Sequence, residues 1–140
     1  MSVTALIVEY NPFHNGHQYH LNQSKKITNN DNLLVIMSGN FTQRGDAALL
    51  DKWARTRQAL SCGADLVLEL PLVYNIRSAE YFAYYSILSL ERSNIVDSVV
   101  FGSEAGNIEL ISAIAEALVN EKPEFKNQLQ TYLKTGLDFP

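Results

Sequence analysis

A cluster of histidines between an apolar run and a polar, helix-forming segment is the feature that most constrains this chain. All three histidines fall within residues 14–20. The apolar, β-branched run at residues 5–8 predicts a buried strand that ends just before them. The segment after them predicts a helix to about Thr28, with Asn15 as N-cap and Gln18 completing a capping box. The histidines therefore lie where a strand ends and a helix begins, which is where open α/β sheets bind ligands.

The helix N-terminus in this stretch predicts an anion site. Its unpaired N–H groups and the positive end of the helix dipole attract phosphate. Gly16 has no Cβ, so a ligand could lie directly against the main chain there. His14 and His17 can point at the same anion, donate hydrogen bonds to it and stabilise the charge that develops when a phosphate is attacked. We therefore predict His14 and His17 as the catalytic residues.

The pattern His14-Asn15-Gly16-His17 resembles the signature of the nucleotidylyltransferase superfamily, whose members bind ATP and let a nucleophile attack its α-phosphate. Further segments resemble one family within it, the bacterial tRNA(Met) cytidine acetate ligases: residues 7–17, 37–41, 43–45, 51–55, 65–71 and 101–104. The resemblance covers the chain up to about Gly106. It implies ATP-dependent activation of acetate to acetyl-adenylate, followed by acetyl transfer to N4 of the wobble cytidine of elongator tRNA(Met).

The resemblance also implies an ATP site built on the histidine stretch. Phosphate transfer usually involves magnesium, so Mg²⁺ is expected to accompany the nucleotide. The partners implied are ATP, acetate and elongator tRNA(Met). The ATP-binding residues predicted in this way are Ile7, Val8, Glu9, Tyr10, Asn11, Pro12, Phe13, His14, Asn15, Gly16, His17, Gln18, Tyr19, His20, Gly102 and Ser103.

A second set of polar residues follows the second predicted strand and begins the next helix. Arg44 lies in a glycine-bounded loop at a strand's carboxyl end, where an arginine can fork onto phosphate or carboxylate. Lys52 and Arg55 are neighbours on one helix face. A solvated helix edge explains this pair equally well, and simple turn chemistry explains the loop glycines. The phosphate or substrate contacts predicted here are Ser38, Gly39, Asn40, Arg44, Lys52 and Arg55.

Apolar runs alternate with helical segments along the whole chain. Strands are predicted at about residues 4–9, 33–37, 65–70 and 96–101, and helices at about 17–28, 51–62, 78–91, 107–120 and 123–135. This alternation predicts a Rossmann-like three-layer α/β/α sandwich with a mostly parallel sheet. Glu69, inside an apolar run, is expected to pair with Arg77 or to face the ligand site. Core positions are expected at Trp53, Leu60, Ala79, Phe82, Ala83, Ile87 and Leu90.

Composition is that of one folded domain spanning residues 1–140, with 46% hydrophobic and 19% charged residues. No apolar run approaches the roughly 18 residues of a membrane span. The single cysteine, Cys62, excludes an intramolecular disulfide, fits a cytoplasmic protein and is expected to pack at a helix end. A net charge of −4 argues against strong nucleic-acid binding by this segment alone. A solvated face or a phosphate-facing patch is predicted for the clustered basic residues Arg44, Lys52, Arg55, Arg57 and Arg77.

Three alternatives remain open at this point. The same histidine stretch would serve a cofactor adenylyl- or cytidylyltransferase. His14, His17 and His20 could instead bind zinc, because two of them share a helix face. The chain could also be a nucleotide-binding module without turnover: the resembling family is longer, so most of its tRNA-binding surface would lie beyond Pro140. We therefore expect this to be the N-terminal part of a longer protein, with poor tRNA affinity on its own.

Overall fold

The computed structural model describes residues 2–136. It divides into two compact units, Met1–Gly102 and Ser103–Pro140. The first unit carries one parallel sheet with the strand order β3-β2-β1-β4. Its elements are β1 (Val3–Val8), α1 (Asn15–Thr28), β2 (Asn32–Ser38), α2 (Lys52–Ser61), β3 (Leu66–Leu70), α3 (Leu72–Asn75), α4 (Ala79–Ser93) and β4 (Ser98–Val99).

The strand order reverses between β1 and β4. The chain moves from β1 outward to β2 and β3, then returns to the other side of β1 to form β4. β1 and β2 pair from Val3 to Val8, whereas β1 and β4 pair only at Thr4 and Ala5. The predicted fourth strand is therefore too long. β1 extends past its pairing with β4, so the carboxyl edge of the sheet has its topological switch point beside the last residues of β1.

Apolar side chains of the central strands alternate between two cores. One core includes Leu6 of β1 and lies against Leu21 of α1 and Ala59 of α2. The other includes Ala5 of β1 and lies against Leu90 of α4. Because neighbouring residues of a strand point to opposite faces, α1 and α2 cover one face and α4 covers the other. This confirms the predicted Rossmann-like three-layer α/β/α sandwich with a parallel sheet.

The core-facing sides of two helices differ from the prediction. In α2 the buried residues are Arg55 and Ala59, which are four residues apart and so share a face. Trp53 and Leu60, predicted as core, are 64% and 43% exposed. In α4 the buried residues are Ser86 and Leu90, so the predicted face is rotated. Of its predicted members Leu90 is buried and Phe82 partly buried, whereas three are exposed: Ala79, Ala83 and Ile87.

The second unit contains two helices, α5 (Ile108–Val119) and α6 (Pro123–Lys134). Asn107 caps α5, as its side-chain oxygen accepts the Leu110 N–H at 3.0 Å. Pro123 occupies the first turn of α6, where its missing N–H costs nothing. Both helices match their predicted positions. No helix described by the structure is long and apolar enough to cross a membrane.

Candidate functional site

The histidine turn, defined here as residues 9–20, connects β1 to the first turn of α1. The N-cap of α1 lies one residue earlier than predicted, at His14 and not at Asn15. The His14 Nδ1 accepts the Gly16 N–H at 3.1 Å, and the His17 Nδ1 accepts the His14 N–H at 3.3 Å. The capping box is therefore made by the two histidines themselves, and the predicted box of Asn15 and Gln18 is wrong.

These hydrogen bonds fix the tautomers of both imidazoles. A ring nitrogen that accepts a hydrogen bond carries no proton, so a neutral His14 or His17 holds its proton on Nε2. The two rings stack with centroids 3.7 Å apart and planes at 21°. Gly16 is needed for this arrangement, since a Cβ there would lie 3.0 Å from the His14 Cε1. The turn thus carries two adjacent rings, each with an Nε2–H donor.

A cluster of aromatic rings packs within the histidine turn. The buried ring of Tyr10 lies 4.8 Å from Phe13 and 4.8 Å from His17 between centroids. Burial lowers the pKa of His17 below its ordinary value of 6.5, and the neighbouring His14 and His20 lower it further. Burial also lowers the pKa of His20. His17 is therefore mainly neutral at neutral pH and acts as a hydrogen-bond donor through a fixed tautomer.

The loop at residues 39–50, which follows β2, is bonded to the histidine turn at two points. The Glu9 carboxylate accepts the Gln43 N–H at 2.5 Å, and the Asn11 side chain accepts the Leu49 N–H at 2.6 Å. The loop folds on itself through an antiparallel bridge between Phe41 and Ala47. The structure therefore brings the histidine turn and this loop together along the carboxyl edge of the sheet, as the sequence predicted.

Arg55 lies beneath this edge and is fully buried. Its guanidinium donates to the main-chain carbonyls of Glu9, Leu50 and Gly39, with distances of 2.6 Å to Glu9 and 3.0 Å to Leu50. The Ser38 hydroxyl accepts a further, longer bond at 3.4 Å. The structure thus places Arg55 inside the protein and not on the surface where a ligand contact was predicted. Such a contact stays a prediction.

Lys52 and Glu69 form an ion pair at the end of β3, with Nζ and Oε2 2.5 Å apart. Glu69 was correctly expected to be paired, but its predicted partner Arg77 is wrong. Arg77 instead donates to the Val73 carbonyl and lies over the Tyr81 ring. A Cβ on Gly39 would collide with the Glu69 carboxylate, so this glycine is required by close packing. The Lys52 ammonium is engaged within the protein.

The remaining predicted site residues lie in the 39–50 loop, at the end of the first unit and in the second unit. Arg44 is exposed on the 39–50 loop, and the Asn40 side chain accepts the Lys52 N–H at 2.9 Å. Gly102 is exposed at the end of the first unit. Ser103 belongs to the second unit, where its hydroxyl accepts the Gly106 N–H at 2.9 Å. A solvated face or a phosphate-facing patch was predicted for the five clustered basic residues. Arg55 is buried and so does not lie on a solvated face.

One contributor to the site was missed by the sequence analysis. Asn75 is fully buried and donates to the Phe41 and Thr42 carbonyls at 2.7 Å and 3.2 Å. It therefore holds the 39–50 loop against α3. Nothing in the sequence around Asn75 marks it, because an asparagine between a predicted strand and the next predicted helix is typical of an ordinary turn.

Among residues 2–136, no three His, Cys, Asp or Glu side chains come together as a metal site requires. The Nδ1 atoms of His14 and His17 already accept main-chain N–H groups. Cys62, for which a packing role was predicted, is the partly buried C-cap of α2.

Known proteins with similar sequences point in the same direction. The chain is 55% identical over 140 residues to the tRNA(Met) cytidine acetate ligase of Halothermothrix orenii, covering 100% of this chain and 33% of that protein. It is 53% identical to the tRNA(Met) cytidine acetate ligase of Clostridium perfringens strain SM101, covering 100% of this chain and 35% of that protein. The chain spans about a third of the length of these curated relatives.

Solved structures show the same fold. Thermotoga maritima TmcAL bound with alpha-thio ATP superposes with a TM-score of 0.89 at 44% identity, covering 100% of this chain and 34% of that one. The apo form of the same protein gives a TM-score of 0.91. The sequence profile of the HIGH Nucleotidyl Transferase family matches residues 1–140. With a parallel sheet, a histidine turn after its first strand and this full-length match, the chain belongs to the HIGH Nucleotidyl Transferase family.

Proposed function

We propose that this chain binds ATP at the histidine turn and belongs to an enzyme that activates acetate to acetyl-adenylate. The enzyme then transfers the acetyl group to N4 of the wobble cytidine of elongator tRNA(Met). The names of the similar proteins support the tRNA reaction, and the alpha-thio ATP bound to Thermotoga maritima TmcAL supports the nucleotide. The observation that carries the proposal is the stacked pair of His14 and His17, each with its proton on Nε2.

The proposed chemistry has two steps. An acetate oxygen attacks the α-phosphorus of ATP, a new P–O bond forms and pyrophosphate leaves. The two Nε2–H donors would stabilise the negative charge that develops on the α-phosphate oxygens during this attack. The amine of the cytidine then attacks the acetyl carbon, the C–O bond to the phosphate breaks and AMP leaves with that electron pair, while the nitrogen releases one proton to water.

Two carboxylates near the histidine turn and the 39–50 loop are already bonded within the protein. The Glu9 carboxylate accepts a main-chain N–H, and the Glu69 carboxylate is paired with Lys52. A Mg²⁺ ion would therefore be held mainly by the phosphates of ATP, whose charge it would offset. His14 and His17 would act on the α-phosphate independently of that ion, because they would donate to it through their Nε2–H groups.

The switch point of the sheet supports the same placement of the nucleotide. β1 extends past β4 at the carboxyl edge, and Ile7 and Val8 are only partly buried there. Ligands of open α/β sheets bind in this kind of crevice. We propose that the nucleotide lies across the ends of β1 and β4, with its phosphates at the start of α1.

Acetate-dependent exchange of radiolabelled pyrophosphate into ATP tests the proposal. The adenylation step is reversible, so exchange that requires acetate is the expected result. Exchange stimulated by a phosphorylated cofactor precursor and not by acetate would favour a cofactor adenylyltransferase instead. Nucleotide binding without any exchange would leave a binding module and would refute the proposed activation step for this chain.

A further inference from the structure

Arg55 is the one fully buried charged side chain in the part of the chain that the structure describes. Burying a charge is costly unless the group is fully bonded. The guanidinium meets this condition with three main-chain carbonyls: that of Glu9, just after β1, and those of Gly39 and Leu50, at the two ends of the 39–50 loop. A lysine could not satisfy all three, because its ammonium is a single point and the guanidinium is a planar fork.

The hydrogen bond from Arg55 to the Glu9 carbonyl connects the guanidinium to the histidine turn. The Glu9 carbonyl immediately precedes Tyr10, whose backbone is left-handed with φ of 50°. An L-residue rarely adopts this conformation, so the surrounding contacts must hold it. The Tyr10 ring packs on His17 with centroids 4.8 Å apart. A continuous set of contacts therefore runs from Arg55 through Glu9 and Tyr10 to His17.

The same guanidinium also holds the loop that faces the turn. It bonds to the Gly39 carbonyl at the start of the 39–50 loop, and that loop is bonded to the Glu9 side chain through Gln43. The Arg55 guanidinium thus bonds both the residue after β1 and the start of the loop after β2 at the carboxyl edge of the sheet. Three carboxylates, those of Glu9, Asp51 and Glu69, oppose the effect of burial on its pKa. Burial still lowers the pKa of the guanidinium, so these carboxylates offset only part of its effect.

We propose that Arg55 is a positioning residue: it holds Glu9 and the 39–50 loop in place and so sets the orientation of Tyr10 and His17 toward the nucleotide. In this role it acts through the main-chain carbonyls that it bonds and not through a contact with ATP. The inference rests on the proposed function for the role of His17, but the orientation of His17 can be measured without any activity. Misplacing a catalytic group by about 1 Å can cost 10²-fold in rate, so a small movement of the turn would have a large effect.

The Arg55→Lys variant tests this, with Arg92→Lys as the matched control. Arg92 lies in the last turn of α4 and is exposed. We expect Arg55→Lys to shift the His17 ring resonances of the ligand-free protein and to lower affinity for a non-hydrolysable ATP analogue by about 10–100-fold. Arg92→Lys should change neither. A folded Arg55→Lys protein with wild-type His17 resonances and wild-type affinity would overturn the proposal.

A second measurement needs no variant, which matters if Arg55→Lys does not fold. In wild-type protein the Arg55 Nη protons should exchange slowly with water and should shift when the analogue binds. If the His17 resonances shift with the analogue while the Arg55 protons do not, the two groups are uncoupled and the proposal fails. If His14 and His17 both ignore the analogue, the proposed function fails, whereas the His17 shift of ligand-free Arg55→Lys still tests the positioning role.

Discussion

The rings of His14 and His17 stack 3.7 Å apart; the His14 Nδ1 accepts the Gly16 N–H, and the His17 Nδ1 accepts the His14 N–H. One pair of side chains therefore both begins the helix and directs two Nε2–H donors outward. Capping and chemistry are separable by substitution, because asparagine is a strong N-cap and has no imidazole.

The first prediction uses this difference. His14→Asn should keep the cap and change the free energy of unfolding by less than about 1 kcal/mol. Acetate-dependent pyrophosphate exchange should fall by about 10²–10³-fold, since a donor to the developing charge is lost. His17→Ala should lower the rate of pyrophosphate exchange by a similar factor. Exchange within a few-fold of wild type in both variants would contradict the catalytic role, and exposed Lys26→Ala serves as the control.

Gly16→Ala probes the space beside His14. The new Cβ would lie 3.0 Å from Cε1 and 3.1 Å from Nδ1 of that ring, so the ring must move. Alanine favours the helix by about 1 kcal/mol over glycine, which offsets the cost of moving the ring. We expect nearly unchanged stability in urea unfolding but weaker binding of an ATP analogue in a fluorescence titration. Exposed Asn22→Ala on α1 is the control, and unchanged binding by Gly16→Ala would show that the ring position does not matter.

Stability should depend on pH through His17 and His20. Both have a folded-state pKa below the ordinary 6.5, so the unfolded chain binds more protons as the pH falls through that value. The free energy of unfolding should be highest above 6.5 and should decrease from there toward the lowered folded-state values. Urea unfolding between about pH 7.5 and about pH 5.5 measures this. A His17→Asn, His20→Asn double variant should show a flatter profile, and an equally steep one would assign the effect to other groups.

The histidine turn was predictable because its signals are local: an apolar run, a glycine and clustered histidines. The parallel sheet followed from the alternation of strands and helices for the same reason. The N-cap of α1 was not predictable, because histidine is seldom an N-cap. Asparagine, which follows it at position 15, is a common one. His14 takes the position because its ring can stack on His17, a contact that no propensity describes.

Arg55 shows why the burial of a side chain is harder to predict than the order of helices and strands along the chain. A charged residue on a helix is expected to face water. It is buried here because the carbonyl of nearby Leu50 and those of Glu9 and Gly39, which are distant in sequence, converge on its guanidinium. The partner of Glu69 was missed for a related reason: the packing of α2 beside β3 brings Lys52 nearer than Arg77.

The Lys52–Glu69 pair is expected to add little stability despite its short distance. The two side chains are 27% and 43% exposed, so water screens their attraction. A double-mutant cycle with Lys52→Met and Glu69→Gln should give a coupling of about 0.2–1 kcal/mol. The pair of Lys25 and Asp65, 3.7 Å apart, is the control and should give no more. A coupling above about 2 kcal/mol would mean that the Lys52 pair is desolvated in solution.

Histidine-resolved NMR of the chain, titrated with a non-hydrolysable ATP analogue with and without zinc, tests the central claim most directly. The account predicts that the His14 and His17 ring resonances shift with the analogue and do not respond to zinc. Resonances that respond to zinc and ignore the nucleotide would contradict it and would make the histidine turn a metal site.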